Sequence, residues 1–444
     1  MKGDFSRMTH RPAAGYSRVL MQQGRVQIDA DWNEQAAIFQ GMLRRLQFDL
    51  FGPAAGPVDH CGFAALTSES TLTTANKAQV KALLGSETIP EDEMVFLPGR
   101  YYVGGLAVDL AAPAALRGQS GFPFDGEADR KFNTGAWTAV LDVWEDYVCA
   151  DQDPHLRDVA LGGVDTCGRA RVRWAVRVGK SGAAPTGGAP APTGAAPKRG
   201  TAKVIADPDE ADDALCTISP DARYRGAENQ HYRIEIQRGI RADGPPATFK
   251  WSRDNGSVVF PVLRSSGPQF WLGHLGRDAR STLNEGDWVE VIDEGSASWP
   301  GVGQMARVTL VDGDEVRVEL APADGTNFVD ANAEQAEGRR LLLRRWDHRG
   351  DLAKSGGAIP VAAGEIELED GIKVSFKDGD LRPGEYWYAP ARVMTGDVDW
   401  PAPPGAEGFR EPDGPIHLFA LLAQRTANTF KDLRTQVGRL PKTP

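Results

Sequence analysis

Three groups of side chains have the spacing of a working site. Asp29, Asp31 and Asn33 stand in the D-x-D-x-N pattern that opens a calcium loop, where alternate oxygens converge on one cation. The sixth position of such a loop needs glycine and here is Glu34; the twelfth needs a bidentate glutamate and here is Gln40. The same residues read more simply as a helix start, with Asp31 as N-cap and Glu34 as its reciprocal partner three residues on. Asp142, Glu145 and Asp146 flank Trp144, and carboxylates beside an aromatic face suit a sugar cleft. Glu365, Glu367 and Glu369 alternate with Ile366 and Leu368, which reads as the solvated face of one strand.

Other motifs fail on context. Gly301-Val302-Gly303-Gln304-Met305-Ala306 matches the dinucleotide pattern G-x-G-x-x-A but precedes a β segment, whereas the pyrophosphate needs a helix N-terminus. It reads as a turn. Arg349-Gly350-Asp351 spells an adhesion tripeptide and reads as an exposed turn. The seven histidines form no HExxH or HxH, and neither a G-x-S-x-G elbow nor a phosphate-binding Gly-Lys-Ser/Thr loop occurs. No residue is therefore assigned a catalytic, cofactor-binding or metal-binding role. Cys61, Cys149, Cys167 and Cys216 include no CxxC pair and are expected as thiols; Cys149–Cys167 is the pair that could join if the protein works outside the cell.

The elements that would carry these residues are mostly strands. From Asp31 to about Leu50 the positions Phe39, Met42, Leu43, Leu46 and Leu50 form one helical stripe, ended by Gly52-Pro53. Weaker helix candidates cover 74–84 and about 420–438. Ahead of the first helix, Val26 and Ile28 alternate with polar residues, a half-buried strand pattern. From Glu93 onward short strands dominate. The segment 170–178 alternates Val172, Trp174, Val176 and Val178 with Arg171, Arg173 and Arg177, predicting one packed and one solvated face. Asn255-Gly256 predicts a hairpin turn between FKWS and VVFPV; Asp312-Gly313 and the segment 365–376 repeat that logic. The strand spacing in this region suits a small SH3-like or OB-like barrel. The eleven tryptophans are expected in cores and at subunit contacts.

The expected fold is mainly β: several small barrels or sandwiches with one N-terminal amphipathic helix. The expected divisions are an arm, strand and helix over 1–60; a β domain over 61–178; a low-complexity loop or linker over 179–205; a β domain holding the barrel over 206–345; and a β-rich region over 346–444. The 50 glycines and 30 prolines favour turns and short strands. A net charge of −11 argues against nucleic-acid backbones. No apolar run reaches the roughly 20 residues of a membrane span. Lys2, Asp4 and Arg7 break any leader-like run, so synthesis in the cytoplasm without a cleaved signal is expected.

The opening MKGDFSR and VLMQQGRVQIDADWNEQ resemble the start of a bacterial family of unknown function, encoded beside phage-tail and contractile-injection-system genes. The likeness continues through GRYYVGGLAVD (99–109), LDVWEDYV (141–148), ARYRGAENQHYRIEI (222–236), ATFKWSRDNGSVVFPV (247–262) and PGEYWYAPAR (383–392). The resemblance implies a structural baseplate, fibre or spike component without enzymatic activity. It would be partnered by other tail or baseplate proteins and by copies of itself, trimers being usual for appendages. The particle could work outside the cell. A tailspike-like protein that binds or degrades surface glycan is the alternative, with Asp142 and Glu145 as its candidate acids.

Overall fold

In the computed structural model, the structure describes residues 1–119, 131–180, 199–207, 223–239, 246–292, 302–328, 330–332, 340–349, 353, 356–377, 379–426 and 429–438. The low-complexity residues 181–198 lie outside them. The chain forms two compact units, each gathered from separate stretches. The first holds Met1–Arg7, Tyr147–Ala170 and Pro197–Pro415; the second holds Met8–Asp146, Arg171–Ala196 and Ile416–Pro444. The architecture is mainly β, as the alternating patterns predict.

The first unit contains a closed six-stranded antiparallel barrel. Its strands, in order, are Val259–Ser266, Gln269–Leu272, Arg317–Pro322, Gln304–Asp312, Trp288–Ile292 and Leu342–Trp346. Phe260, Phe270, Val289, Val308 and Leu343 fill it. Beside it a five-stranded sheet runs Ile359–Pro360, Thr248–Ser252, Gln230–Arg238, Tyr386–Arg392, Asp397–Val398. A three-stranded sheet of Thr201–Ala206, Ile372–Lys377 and Ile366–Glu369 shares one apolar core with it, built around Tyr232, Ile234, Phe249, Trp251, Val374 and Trp387.

The Asn255-Gly256 turn exists, with φ of 52° and 62°. It does not close a hairpin. Thr248–Ser252 pairs within the five-stranded sheet and Val259–Ser266 within the barrel, so the turn is the crossing point between the two. The turn at Asp370-Gly371 does close its hairpin, with φ of 50° and 78°.

In the second unit the longest sheet orders Arg169–Lys180, Trp137–Val148, His417–Thr426 and Thr429–Asp432. Trp137–Val148 and His417–Thr426 are its inner strands. Leu141, Val143, Leu422 and Trp137 join the hairpin of Gly99–Val103 and Leu106–Leu110 in one core. The helix expected over 420–438 is thus replaced by strands. The Ala- and Leu-rich run pairs with Trp137–Val148, and that burial outweighs weak helix propensity.

Two α-helices stand among the described residues. Helix α2, Thr74–Leu84, has the expected bounds: Thr73 caps it by accepting from the Asn76 N–H at 3.2 Å, and Gly85 ends it at φ 72°. Helix α1, Asp29–Phe51, begins two residues before the expected N-cap. Asp31 sits inside the first turn, where its carboxylate faces the Ile28 N–H at 3.4 Å and favours the positive end of the helix dipole. No strand precedes it: Val26 is 87% exposed, and without a neighbouring strand the alternation there has nothing to pair with. No helix among the described residues is long and apolar enough to cross a membrane.

The Gly104-Gly105 turn seats α1. Gly105 has φ 83°, and a Cβ there would stand 2.6 Å from the Arg44 Cα. Gly105→Ala is therefore expected to lower stability by about 1–3 kcal/mol and to expose α1 to proteolysis. Denaturant midpoints and limited digestion read both; an unchanged midpoint with an intact α1 would show that the close approach is not a constraint.

Candidate functional site

The five-stranded sheet is buried on both faces, and the two faces differ in kind. By the period of two, Tyr232, Ile234, Ile236, Phe249, Trp251 and Trp387 turn to the apolar core. His231, Arg233, Glu235, Lys250, Tyr386 and Tyr388 turn the other way. Of these, Glu235 and Lys250 are 0% exposed. Two things cover this polar face: residues 1–7 of the chain, and the barrel strands that carry Glu290, Arg344 and Trp346.

An ionic network results. Lys250 Nζ lies 2.7 Å from Glu290 and 3.4 Å from Glu235, and 4.5 Å from the Trp346 ring centre. Lys2 Nζ reaches Glu235 at 2.9 Å. Arg233 holds the other Glu235 oxygen at 2.7 Å, while its guanidinium stacks 3.5 Å from the Tyr386 ring centre. The Trp346 Nε1–H donates to Glu290 at 2.9 Å. Arg344 donates to the Gly256 carbonyl. The arm is also held by its backbone: Asn255 Nδ2 donates to the carbonyls of Met1 and Gly3 at 3.2 and 2.8 Å, and the Tyr388 hydroxyl donates to the Met1 carbonyl at 2.6 Å.

Burying charge is costly unless every charge is paired. Here four cations (Lys2, Arg233, Lys250 and Arg344) meet two carboxylates, with ring faces and carbonyls taking up the excess. Burial lowers the Lys2 pKa to about 8 against the pull of Glu235 and Glu290. Burial alone would raise Glu235 and Glu290, yet the cations around them hold both below the usual carboxylate range. His231, whose Nδ1 lies 3.5 Å from the Ser6 carbonyl, is lowered by burial to about 4. His348, bound to the Gly357 carbonyl at 2.8 Å, is lowered likewise to about 4.

The acids singled out in the sequence are elsewhere and are engaged. Asp142, fully buried, accepts from Arg177 at 3.0 Å and approaches His417 Nδ1 at 2.7 Å. It clasps three neighbouring strands and has no open side toward a sugar. Glu145 is bound by Arg44 and by Gln40 at 3.0 Å, both on α1, and Asp146 pairs with Arg173 at 3.7 Å. The arginine face of 170–178 is thus only partly solvated: Arg171 and Arg173 are half-buried, and Arg177 is 4% exposed because the adjacent strand offers its carboxylate. Trp144 is buried against His417, with ring centres 5.0 Å apart. Glu365 and Glu367 are exposed, but Glu369 is half-buried, pushed up by burial, and pairs with Arg253 at 2.5 Å and the Tyr232 hydroxyl at 3.0 Å.

Asp29, Asp31 and Asn33 serve the start of α1. Gly303 donates to Glu290 and leads into a strand, as its context predicts; Gly301 lies outside the described residues. Arg349 lines a cleft of about 110 Å³ with Arg253, Arg280, Arg345, Asp287 and Asp347, where Arg345 already donates to the Arg280 and Thr282 carbonyls at 2.7 and 2.6 Å. Gly350 and Asp351 lie outside the described residues, as does Cys216; Cys61, Cys149 and Cys167 are free thiols. Among the described residues no cluster of three His, Cys, Asp or Glu side chains could hold a metal ion.

The network was missed because HYRIEI and FKWS alternate as solvated strands do. The available signal was charge in mid-strand on three segments: Arg233 and Glu235 in HYRIEI, Lys250 in TFKWS and Glu290 in WVEVI.

The expected apolar stripe of α1 is the other exceptional feature. It faces away from the rest of the chain: Phe39, Leu43, Leu46 and Leu50 are each more than half exposed, Met42 is 44% exposed, and Trp32, outside the expected stripe, is 64% exposed. The opposite face is the seated one, through buried Ala30 and Ile38, through Glu34, which accepts from Thr9 at 2.5 Å, and through Arg44.

A family model matches residues 1–188 and 192–429, and the chain belongs to that family of unknown function, DUF6519. No curated protein and no solved structure matches it.

Lys250→Met removes the 2.7 Å ion-pair partner of the buried Glu290, while Glu235 keeps Lys2 and Arg233, and is expected to cost about 3–5 kcal/mol. Adding Glu290→Gln should recover part of that loss; additive losses in denaturant titration would show that the two side chains do not act as a pair. Acid should act through the histidines. Both stay neutral in the folded chain down to about pH 4, while the unfolded chain takes up protons near its ordinary value of 6.5. Stability is then full above pH 6.5 and falls as pH drops toward 4, by on the order of 3 kcal/mol per histidine. Thermal melts of His231→Gln and His348→Gln across this window should show a flatter fall than the unsubstituted chain; parallel curves would contradict the assignment.

Proposed function

We propose that the protein is a structural component of a phage-tail-like contractile injection particle, associated with its baseplate, fibre or spike, and that it acts by protein–protein assembly. One observation carries the reading. Helix α1 presents a run of large apolar side chains to the outside of a chain that has ample β core in which to bury them. Exposed apolar stripes of this kind mark association surfaces. The acids best placed for glycan chemistry are committed to arginine, glutamine and histidine partners, which supports assembly over catalysis. The resemblance to a family encoded beside tail genes supplies the particle.

Purified intact particles should contain the chain at a fixed ratio to sheath and tube subunits, read by quantitative mass spectrometry. Its absence from particles that still contract would overturn the reading. Point substitutions are the right perturbation: deleting residues 1–35 would also remove Lys2 from the ionic network and unsettle the first unit.

A further inference from the structure

One end of the six-stranded barrel holds a cavity of about 510 Å³, within the roughly 300–1,000 Å³ of ordinary small-molecule pockets. Two pieces of chain form it. One is the turn Ser266-Gly267-Pro268 between the strands Val259–Ser266 and Gln269–Leu272, with Gly267 at φ 56°. The other follows the strand Arg317–Pro322 and brings Asn327, Phe328, Asp330 and Asn332 to the cavity.

This second piece is pinned in place. The Ser265 hydroxyl, on a residue 9% exposed, accepts from the Ala331 N–H at 3.0 Å, and the Asn332 amide donates to the Ser265 carbonyl at 2.9 Å. Asp330 Oδ1 accepts from the Asn332 backbone N–H at 2.9 Å and from its side-chain amide at 3.0 Å. Half-buried Phe328 stands edge-on to Phe270 of the barrel core, with ring centres 5.1 Å apart and planes at 89°. A lining fixed in advance lowers the cost of binding.

The pinning leaves hydrogen-bonding positions unfilled. Asp330 Oδ2, Asn332 Oδ1, the Asn327 amide and the Ser266 hydroxyl have no partner among the described residues, and the Ser265 hydroxyl has no acceptor for its own proton. Among the described residues of the lining there is no lysine, arginine or histidine, so an anion would meet Asp330 with no counter-charge. Asp330 is also the one carboxylate there, whereas glycoside hydrolysis needs two. The ligand that suits these groups is uncharged, carries several hydroxyls that each donate and accept, and has an apolar C–H face for the Phe328 ring. A sugar ring has all three properties.

We propose that this end of the barrel is a binding site, without hydrolysis, for a neutral saccharide. It belongs to the other unit from Asp142 and Glu145, and it would serve a free chain and a particle subunit alike, so its failure leaves the assembly reading untouched.

The probe is an array of neutral mono- to tetrasaccharides, with sulfated and phosphorylated sugars alongside, incubated with the full chain. Titration calorimetry then follows the best neutral sugar. Binding of at least one neutral sugar is expected. Ser266→Trp, at an exposed position, fills the cavity and should abolish that binding. Asp330→Asn keeps an oxygen for Asn332 but loses the charge, and should weaken binding by about tenfold, the worth of one hydrogen bond to a charged group. Both variants should melt like the unsubstituted chain, since both positions are exposed and outside the barrel core. Glu367→Gln, exposed on another sheet, should bind as the unsubstituted chain does. An array with no neutral sugar bound, a preference for the charged sugars, or binding that survives Ser266→Trp overturns the proposal.

Discussion

Lys250 is the residue on which the first unit turns. It extends from the five-stranded sheet, ends between Glu235 of the same sheet and Glu290 of the barrel, and lies over Trp346. Lys2 completes the arrangement from the beginning of the chain. Because a buried charge is tolerable only while its partners are in place, sheet, barrel and residues 1–7 must be correct together. An apolar contact of similar size would tolerate sliding. The network specifies one arrangement, and its cost in desolvation is offset by pairing, by ring faces and by carbonyls of the arm.

The second unit handles polarity on a smaller scale. Asp142 sits on an inner strand and binds Arg177 on one neighbour and His417 on the other. The strand at His417–Thr426 comes from the far end of the chain, so the clasp also closes the unit in sequence. Against these internally satisfied charges, α1 is the exception. Ala30, Ile38 and Arg44 are turned inward, while Trp32, Phe39, Leu43, Leu46 and Leu50 are turned outward, more large apolar surface than a helix serving a single chain leaves uncovered. Such a face suits the association surface proposed above.

Much of this was legible in the sequence. The β-rich class, the barrel region, both helices and the Asp370-Gly371 turn follow from period, capping and turn chemistry. The stripe of α1 was visible too, but amphipathicity states that a face needs cover and not who provides it. Three things were hidden. Arg233 and Glu235 alternate with apolar residues as solvated side chains do, and only the barrel and the arm, distant in sequence, bury them. Asn255-Gly256 has the right φ angles for a hairpin, yet the pairing of its flanking strands is decided by other strands. His417–Thr426 has the composition of a helix, and its pairing with Trp137–Val148 overrides that preference.

The most direct measurement is a cryo-EM reconstruction of the assembled protein at side-chain resolution. The account predicts the Trp32, Phe39, Leu43, Leu46 and Leu50 face of α1 covered by a neighbouring subunit of the particle. A map with that face of α1 in solvent would contradict it.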